Sequence, residues 1–154
     1  MKPSTAWLIN NILHDVFKGS SYDLKNTYLM AKTGQTNYDS KTLSKYNIPY
    51  GATRDSLLIG YTKDLTIGIW VGYNQIKEGQ YLDRYKKNIP RNIMKILLEK
   101  YAQPNNYYEI IDSITKEYIT IIDNKAYLSN SNGYYEYFEK GTEPLSYPNK
   151  YHTI

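Results

Sequence analysis

The sequence predicts an α/β chain in which an antiparallel sheet is flanked by helices and followed by a small β-rich C-terminal extension. Three observations carry this reading. Residues 8–17 and 93–101 repeat apolar side chains at helical spacing. Between them, residues 25–33, 55–61 and 65–73 are short runs of strand-forming residues bounded by turn chemistry. Beyond Pro104, β-branched and aromatic runs are interrupted at Asp123-Asn124 and at Ser131-Asn132-Gly133. Two domains are expected: residues 1–103, holding the helices and the sheet, and residues 104–154, the extension.

Each element has a local cause. Ser4 or Thr5 can cap the free N–H groups of a first helix, whose stripe of Leu8, Ile9, Ile12, Leu13, Val16 and Phe17 lies on the sheet and which Gly19 ends. His14 falls on the flank of that stripe and reads as a surface or boundary histidine. Residues 25–33 form a strand whose alternation places Tyr28, Met30 and Lys32 on one face and Leu29, Ala31 and Thr33 on the other. Residues 35–54 read as a long polar loop with a turn at Asn47-Ile48-Pro49-Tyr50-Gly51. Residues 55–61 and 65–73 make a hairpin through Thr62-Lys63-Asp64. Gly60, Gly68 and Gly72 mark bulges or close packing of the first helix, and Trp70 reads as a core anchor. Pro90 suits the first position of a second helix, built on Ile93, Met94, Leu97, Leu98 and Tyr101 and stopped before Pro104.

Composition removes several function classes. The formal charge is +4, but the 19 lysines and arginines are scattered along the 154 residues, whereas a nucleic-acid footprint is clustered. The 19 tyrosines therefore read as compositional bias rather than as a stacking surface. Without cysteine there is neither a disulfide framework nor a thiolate metal site. His14 and His152 are isolated, so no metal site and no cofactor are expected. No apolar run reaches the ~18 residues of a membrane span, and Met1 is not followed by a secretory leader.

The candidate site lies in residues 28–37, Y-L-M-A-K-T-G-Q-T-N. An apolar strand ends by delivering one cation (Lys32), one hydroxyl (Thr33) and one bare backbone position (Gly34), before a polar loop. Glycine there lets a ligand lie against the strand edge and meet its N–H groups.

Residues downstream make the triplet specific. Residues 41–73 continue with an aspartate-led strand ending in G-Y-T (Asp55 to Thr62) and a strand ending in W-x-G (Leu65 to Gly72). Near the end stands Tyr137-Phe138-Glu139-Lys140-Gly141-Thr142-Glu143-Pro144. In this order the segments resemble the class A penicillin-binding proteins, the bifunctional transglycosylase/transpeptidases, over residues 4–145 and only in the C-terminal part of the transpeptidase domain. The resemblance implies a partial penicillin-binding transpeptidase fold, similar to the serine β-lactamases. Residues 1–103 then correspond to the end of that domain and residues 104–154 to the extension.

The resemblance also implies roles. Lys32 supplies positive charge near a second serine and the substrate carboxylate, Thr33 hydrogen-bonds that carboxylate, and Gly34 lets the peptide lie alongside. The backbone N–H of Gln35 is one of two oxyanion donors, and Gln35 and Thr36 complete the substrate-binding set. Gln35 departs from the family's second threonine, and Ala31 stands where relatives often carry glycine.

The S-x-x-K nucleophile motif and the S-x-N motif belong upstream of the first helix, and the chain begins at that helix. One S-x-x-K string does occur, Ser113-Ile114-Thr115-Lys116, but in a stretch of β character, where residues i and i+3 point to opposite faces. Tyr147-Pro148-Asn149 imitates the second motif by accident of composition. The expectation is the C-terminal portion of a D,D-transpeptidase of peptidoglycan cross-linking, inactive alone because its nucleophile is not in this chain. The alternative is a non-catalytic module that binds cell-wall peptide or a protein partner. Expected partners, in the parent protein, are the D-Ala-D-Ala stem peptide and β-lactams, at the extracytoplasmic face of a bacterial membrane. Nucleic acid is not expected. A fragment with an exposed sheet edge is also expected to self-associate.

Overall fold

The computed structural model describes residues 1–147. In chain order the elements are α1 (Pro3–Asp15), β1 (Met30–Asn37), α2 (Ser40–Lys45), β2 (Thr53–Tyr61), β3 (Thr66–Gly72), a 3-10 turn (Lys86–Asn88), α3 (Ile89–Tyr101), β4 (Ile114–Ile122), β5 (Lys125–Leu128) and β6 (Tyr134–Glu139). The chain is α/β with antiparallel sheets and helices, as its periodicities predict. It divides into two compact units: Asn11–Tyr108, and Met1–Asn10 with the described residues from Glu109 onward.

The first of these units holds the sheet β1-β2-β3. Burial alternates along β2, with Ser56, Leu58 and Gly60 buried and Leu57 and Ile59 exposed. Such a pattern marks a sheet covered on one face. α3 supplies the cover: Met94 and Leu98 join Leu58, Ala31, Leu29, Leu24 and Phe17 in one apolar cluster. Each such buried Leu or Met side chain contributes about 1.5–3 kcal/mol relative to exposure. Gly60 allows the close approach, because a β-carbon there would lie 2.7 Å from Met94 Cε and closer still to Sδ. The helix received by Gly60 is therefore α3 and not the first one.

Several expectations require correction. The first strand runs from Met30 to Asn37, five residues later than expected at its start and four later at its end. Residues before Leu29 pair elsewhere: Thr27 bridges Asn106, its hydroxyl donates to the Asn106 carbonyl at 3.1 Å, and Asn105 N–H donates to the Asn26 carbonyl. Beyond Gly34 the chain is polar, yet it stays extended because β2 continues as its partner as far as Thr53 opposite Asn37. The supposed loop also contains α2, capped by Asp39, which accepts from Thr42 N–H at 3.0 Å and from the Thr42 hydroxyl at 2.8 Å. These bonds hold the Asp39 carboxyl below its ordinary range, the backbone bond contributing most.

α1 is rotated from its predicted stripe. Ser4, Trp7, His14 and Phe17 are buried, whereas Ile9, Ile12 and Val16 are exposed. Polar anchoring explains the choice. Trp7 Nε1–H donates to the Glu109 carbonyl at 2.7 Å, and the ring packs edge-on to Tyr137 at 4.8 Å. His14 Nδ1–H donates to the Leu29 carbonyl at 3.2 Å, and its ring lies 4.3 Å from that of Tyr28. A buried His14 replaces the boundary histidine expected from its flank position. The helix ends at Asp15, so Gly19, at φ +71°, stands four residues beyond its end rather than ending it directly.

The second unit centres on β4 in a sheet of order β5-β4-β6. Asp123 and Asn124, both at positive φ (49° and 61°), close the β4–β5 hairpin in the sense its strand twist favours. The β5–β6 connection, residues 129–133, has to pass β4 to reach its other side. It is strapped down there: Ser129 N–H donates to the Tyr118 carbonyl, Thr120 Oγ1–H to the Asn132 carbonyl at 3.0 Å, and Tyr118 Oη–H to the Gly133 carbonyl at 2.8 Å.

Candidate functional site

The K-T-G triplet lies in the middle of β1, at the edge of its sheet, rather than at the strand's end. Register decides which residues meet. Lys32 stands opposite Ile59, which stands opposite Gly68; Gly34 opposite Leu57, and Leu57 opposite Trp70; Thr36 opposite Asp55, and Asp55 opposite Gly72. Directly paired residues share a face. These three cross-strand rows therefore line the face away from α3.

That face is open. Leu57 is 40%, Ile59 47% and Trp70 51% exposed, so Trp70 is not the core anchor its size suggests. The indole leans over bare backbone instead, because a β-carbon on Gly72 would lie 2.5 Å from both Trp70 Cζ2 and Asp55 Oδ1.

Strand parity divides the five predicted site residues. Lys32, Gly34 and Thr36 belong to the open face, whereas Thr33 and Gln35 fall on the alternate one. Gln35 thus offers the open face its backbone and not its amide. Lys32 is exposed, and its ammonium donates to the neighbouring Thr33 carbonyl at 2.9 Å. The Thr36 hydroxyl donates to Asp55 Oδ2 at 2.7 Å, and Arg54 Nε lies 3.5 Å from the same oxygen. Thr36 can accept from a ligand as it stands, but to donate it must release Asp55. Asp55, Leu57, Ile59 and Trp70 were absent from the predicted site. The parity of the hairpin through residues 62–64 carries the signal for them.

Gly34 is informative because nothing in the fold requires it. It has no positive φ, and a β-carbon built there meets only Leu57 Cβ at 3.7 Å and Cδ2 at 3.9 Å, ordinary contact distances. Gly68, one row away on the same face, meets nothing within 4 Å. Both leave bare backbone on an open surface without serving internal packing.

The S-x-x-K string is decided by its own local geometry. Ser113 sits in the turn before β4 and Lys116 within the strand, so the S-x-x-K string lacks the helical turn that would bring the two groups together. The Lys116 ammonium lies instead over the rings of Tyr135 (4.8 Å) and Tyr137 (5.6 Å). His152, Pro148 and Asn149 lie outside the described residues. Among the described residues no group of three or more His, Cys, Asp or Glu could hold a metal ion, and no helix is long and apolar enough to cross a membrane.

The C-terminal Y-F-E-K-G-T-E-P segment closes β6 with a turn at Gly141 (φ +90°). Its N–H donates to Glu143 Oε2 at 2.8 Å, and the Thr142 hydroxyl donates to the Glu139 carbonyl at 2.8 Å.

Comparison with known proteins gives two relatives. No protein-family model matches the chain. It is 28% identical over 160 residues to Penicillin-binding protein 1A/1B of Bacillus subtilis (strain 168), a match covering 98% of this chain and 18% of that protein. It is also 28% identical over 116 residues to Penicillin-binding protein 1F of the same organism, covering 69% of this chain and 15% of that one. The chain thus spans less than a fifth of the length of these curated relatives.

Proposed function

From the similarity of this chain to the C-terminal region of class A penicillin-binding proteins, we propose that its open β1 face is one wall of an acyl-transfer pocket in a peptidoglycan D,D-transpeptidase. The observation that carries the reading is Gly34: a glycine the fold does not need, on an edge strand, two residues from an exposed lysine. In this reading Lys32 sets a positive charge beside the attacking serine and the substrate carboxylate. Thr36 lies along the peptide, Thr33 contributes from the alternate face through its backbone, and the Gln35 N–H stabilises the tetrahedral oxyanion, a kind of donor whose loss costs about a hundred- to a thousandfold in rate. The D-Ala-D-Ala stem peptide and the β-lactams share this wall. The serine that forms the ester is not one of these residues, so the chain by itself is not acylated. The enzyme it serves acts at the outer face of the bacterial membrane, where its substrate is.

Two measurements test this. Purified chain mixed with fluorescent penicillin is expected to stay unlabelled after denaturing electrophoresis; a covalent label on any of its serines overturns the claim of inertness. For the wall itself, the matching segment of the B. subtilis relative is replaced by this chain and acylation of the hybrid is followed. Gly34→Ala is expected to leave its melting temperature unchanged, since the new methyl meets only ordinary contacts, while slowing acylation at least about tenfold. Lys32→Ala is expected to do the same. A well-folded hybrid acylated equally fast with and without both substitutions refutes the assignment.

The alternative of a non-catalytic binding module draws on the same open face. It predicts binding of D-Ala-D-Ala peptide by the chain alone, abolished by Lys32→Ala.

A further inference from the structure

The β4–β6 unit holds a second concavity that the K-T-G reading leaves unused. A cleft of about 970 Å³ opens above the face of β4 that carries Lys116, Tyr118 and Thr120. The strap of residues 129–132 walls one side, and Tyr135 and Tyr147 also line it. Its size falls within the range of small-ligand sites.

Three features define what fits. First, the strap is held before any ligand arrives. Besides its bonds to Tyr118 and Thr120, the Ser129 hydroxyl donates to the Ser131 carbonyl at 2.8 Å and accepts from Ser131 N–H at 3.2 Å. The side-chain amides of Asn130 and Asn132, by contrast, make no hydrogen bond with the described residues and are exposed. Each presents two donors and an acceptor on a rigid base.

Second, the aromatic walls are supported but accessible. Tyr135 is 62% exposed and is braced edge-on by Tyr118 at 5.0 Å; Tyr147 is braced by Tyr127, also at 5.0 Å. Tyrosine faces offer large contact area at low entropic cost, and serine and asparagine offer adaptable hydrogen bonds beside them.

Third, the charges at the cleft are already engaged. Lys116 lies over the rings of Tyr135 and Tyr137, and the Glu117 carboxylate accepts from the Thr115 hydroxyl at 2.6 Å. By parity the Glu117 carboxylate falls with Thr115 on the alternate face, so among the described residues Lys116 is the charged side chain of the cleft face, and its ammonium is already held over two rings.

We propose that this cleft binds a neutral oligosaccharide. The side-chain amides of Asn130 and Asn132 pair with hydroxyls of a sugar ring, and Tyr135 covers the ring's apolar C–H face. Nothing in this assignment depends on the acyl-transfer reading, so either can fail alone.

The test uses the whole 154-residue chain, titrated calorimetrically with cellotetraose, with chitotetraose and with inorganic phosphate. Saturable binding of at least one tetrasaccharide is expected, and none of phosphate. Binding of both assigns recognition to the hydroxylated ring; binding of chitotetraose alone assigns it to the acetamido group, and of cellotetraose alone to the hydroxyl at that position. Tyr135→Ala and Asn130→Ala, both at exposed positions, are each expected to weaken binding about tenfold with melting unchanged. Should Tyr135→Ala lower the melting temperature, Asn130→Ala carries the comparison. Failure of both sugars to bind, preference for phosphate, or binding indifferent to Asn130→Ala overturns the proposal.

Discussion

Gly60→Ala is a one-methyl change whose sign the structure decides. Gly60 pairs with Ala31 on one side and Ile67 on the other, one residue pair from Lys32. A β-carbon there meets Met94 Sδ and Cε, the latter at 2.7 Å, and Leu29 Cδ1 at 3.3 Å. Met94 is 1% and Leu29 2% exposed, so the methionine cannot swing into water and has to repack inside the core. Overpacking of this kind costs about 1–3 kcal/mol, and the flexible thioether favours the lower part of that range. Against it, replacing a mid-strand glycine recovers roughly 0.5–1 kcal/mol. The expected balance is a destabilisation of about 0.5–2 kcal/mol.

A double-mutant cycle read by urea unfolding isolates the cause. Met94→Val removes both Sδ and Cε, so in that background only the backbone gain should survive. Gly60→Ala should then be neutral or stabilising by up to about 1 kcal/mol, with an unchanged denaturant slope. An equal loss in both backgrounds would falsify the claim that α3 seats on the sheet through this glycine.

Three further outcomes rest on the same geometry. Gly133→Ala should destabilise the β4–β6 unit by at least about 1–3 kcal/mol, because its β-carbon would lie 2.7 Å from the Ile119 carbonyl carbon and closer to the oxygen, backbone that cannot move aside; unchanged urea unfolding would count against the strap. Asp64 accepts from the Thr62 hydroxyl at 2.8 Å, from Gln103 N–H at 3.0 Å and from the Asn106 amide at 3.3 Å, tying the hairpin to the end of α3. The Thr62 bond first, then the Gln103 bond, hold its carboxyl below the ordinary range. A depressed folded-state value means the stabilisation is present above the unfolded value of about 3.9 and fades as pH falls through the folded one. Asp64→Asn should therefore lower the melting temperature at neutral pH and matter less near the acid limit; an equal deficit at both refutes the linkage. For the self-association expected of an exposed sheet edge, Trp70→Ser on the adjoining open face should reduce concentration-dependent sedimentation if that face takes part in the contact, and no change would restrict the contact to the edge.

The hairpin was legible because alternation and a short polar turn agree, so β2 and β3 lie within two residues of their expected bounds. Its register then gives the faces, and by that parity Trp70, opposite the exposed Leu57, belongs to the open face and not to the core. The expected first strand starts too early because Thr27, Tyr28 and Leu29 have strand propensity, while the hydrogen bonds of Asn26 and Thr27 go to residues 105–106. The second half of β1, residues 34–37, reads as loop in the sequence because an edge strand beside an open face tolerates polar residues. α2 has six residues and no buried side chain, so periodicity could not find it; Asp39 three positions before Thr42 was its signal. In α1, Trp7 and His14 outrank isoleucines for burial because each has a carbonyl to donate to.

The glycines separate what the fold demands from what a ligand could demand. Gly60, Gly72 and Gly133 are required internally: each has a neighbour that a methyl group would strike. Gly34 and Gly68 are not, and by register both fall on the open face, beside Leu57 and Ile59 respectively. Among the described residues no helix packs on that side, so helix packing does not account for its bare backbone. A surface that has to admit another body close to its backbone does explain it, and the same surface presents Lys32 and exposes Trp70. The open face therefore accounts for two glycines, an exposed indole and an exposed lysine together, whereas a solvated sheet face leaves each of them a separate accident.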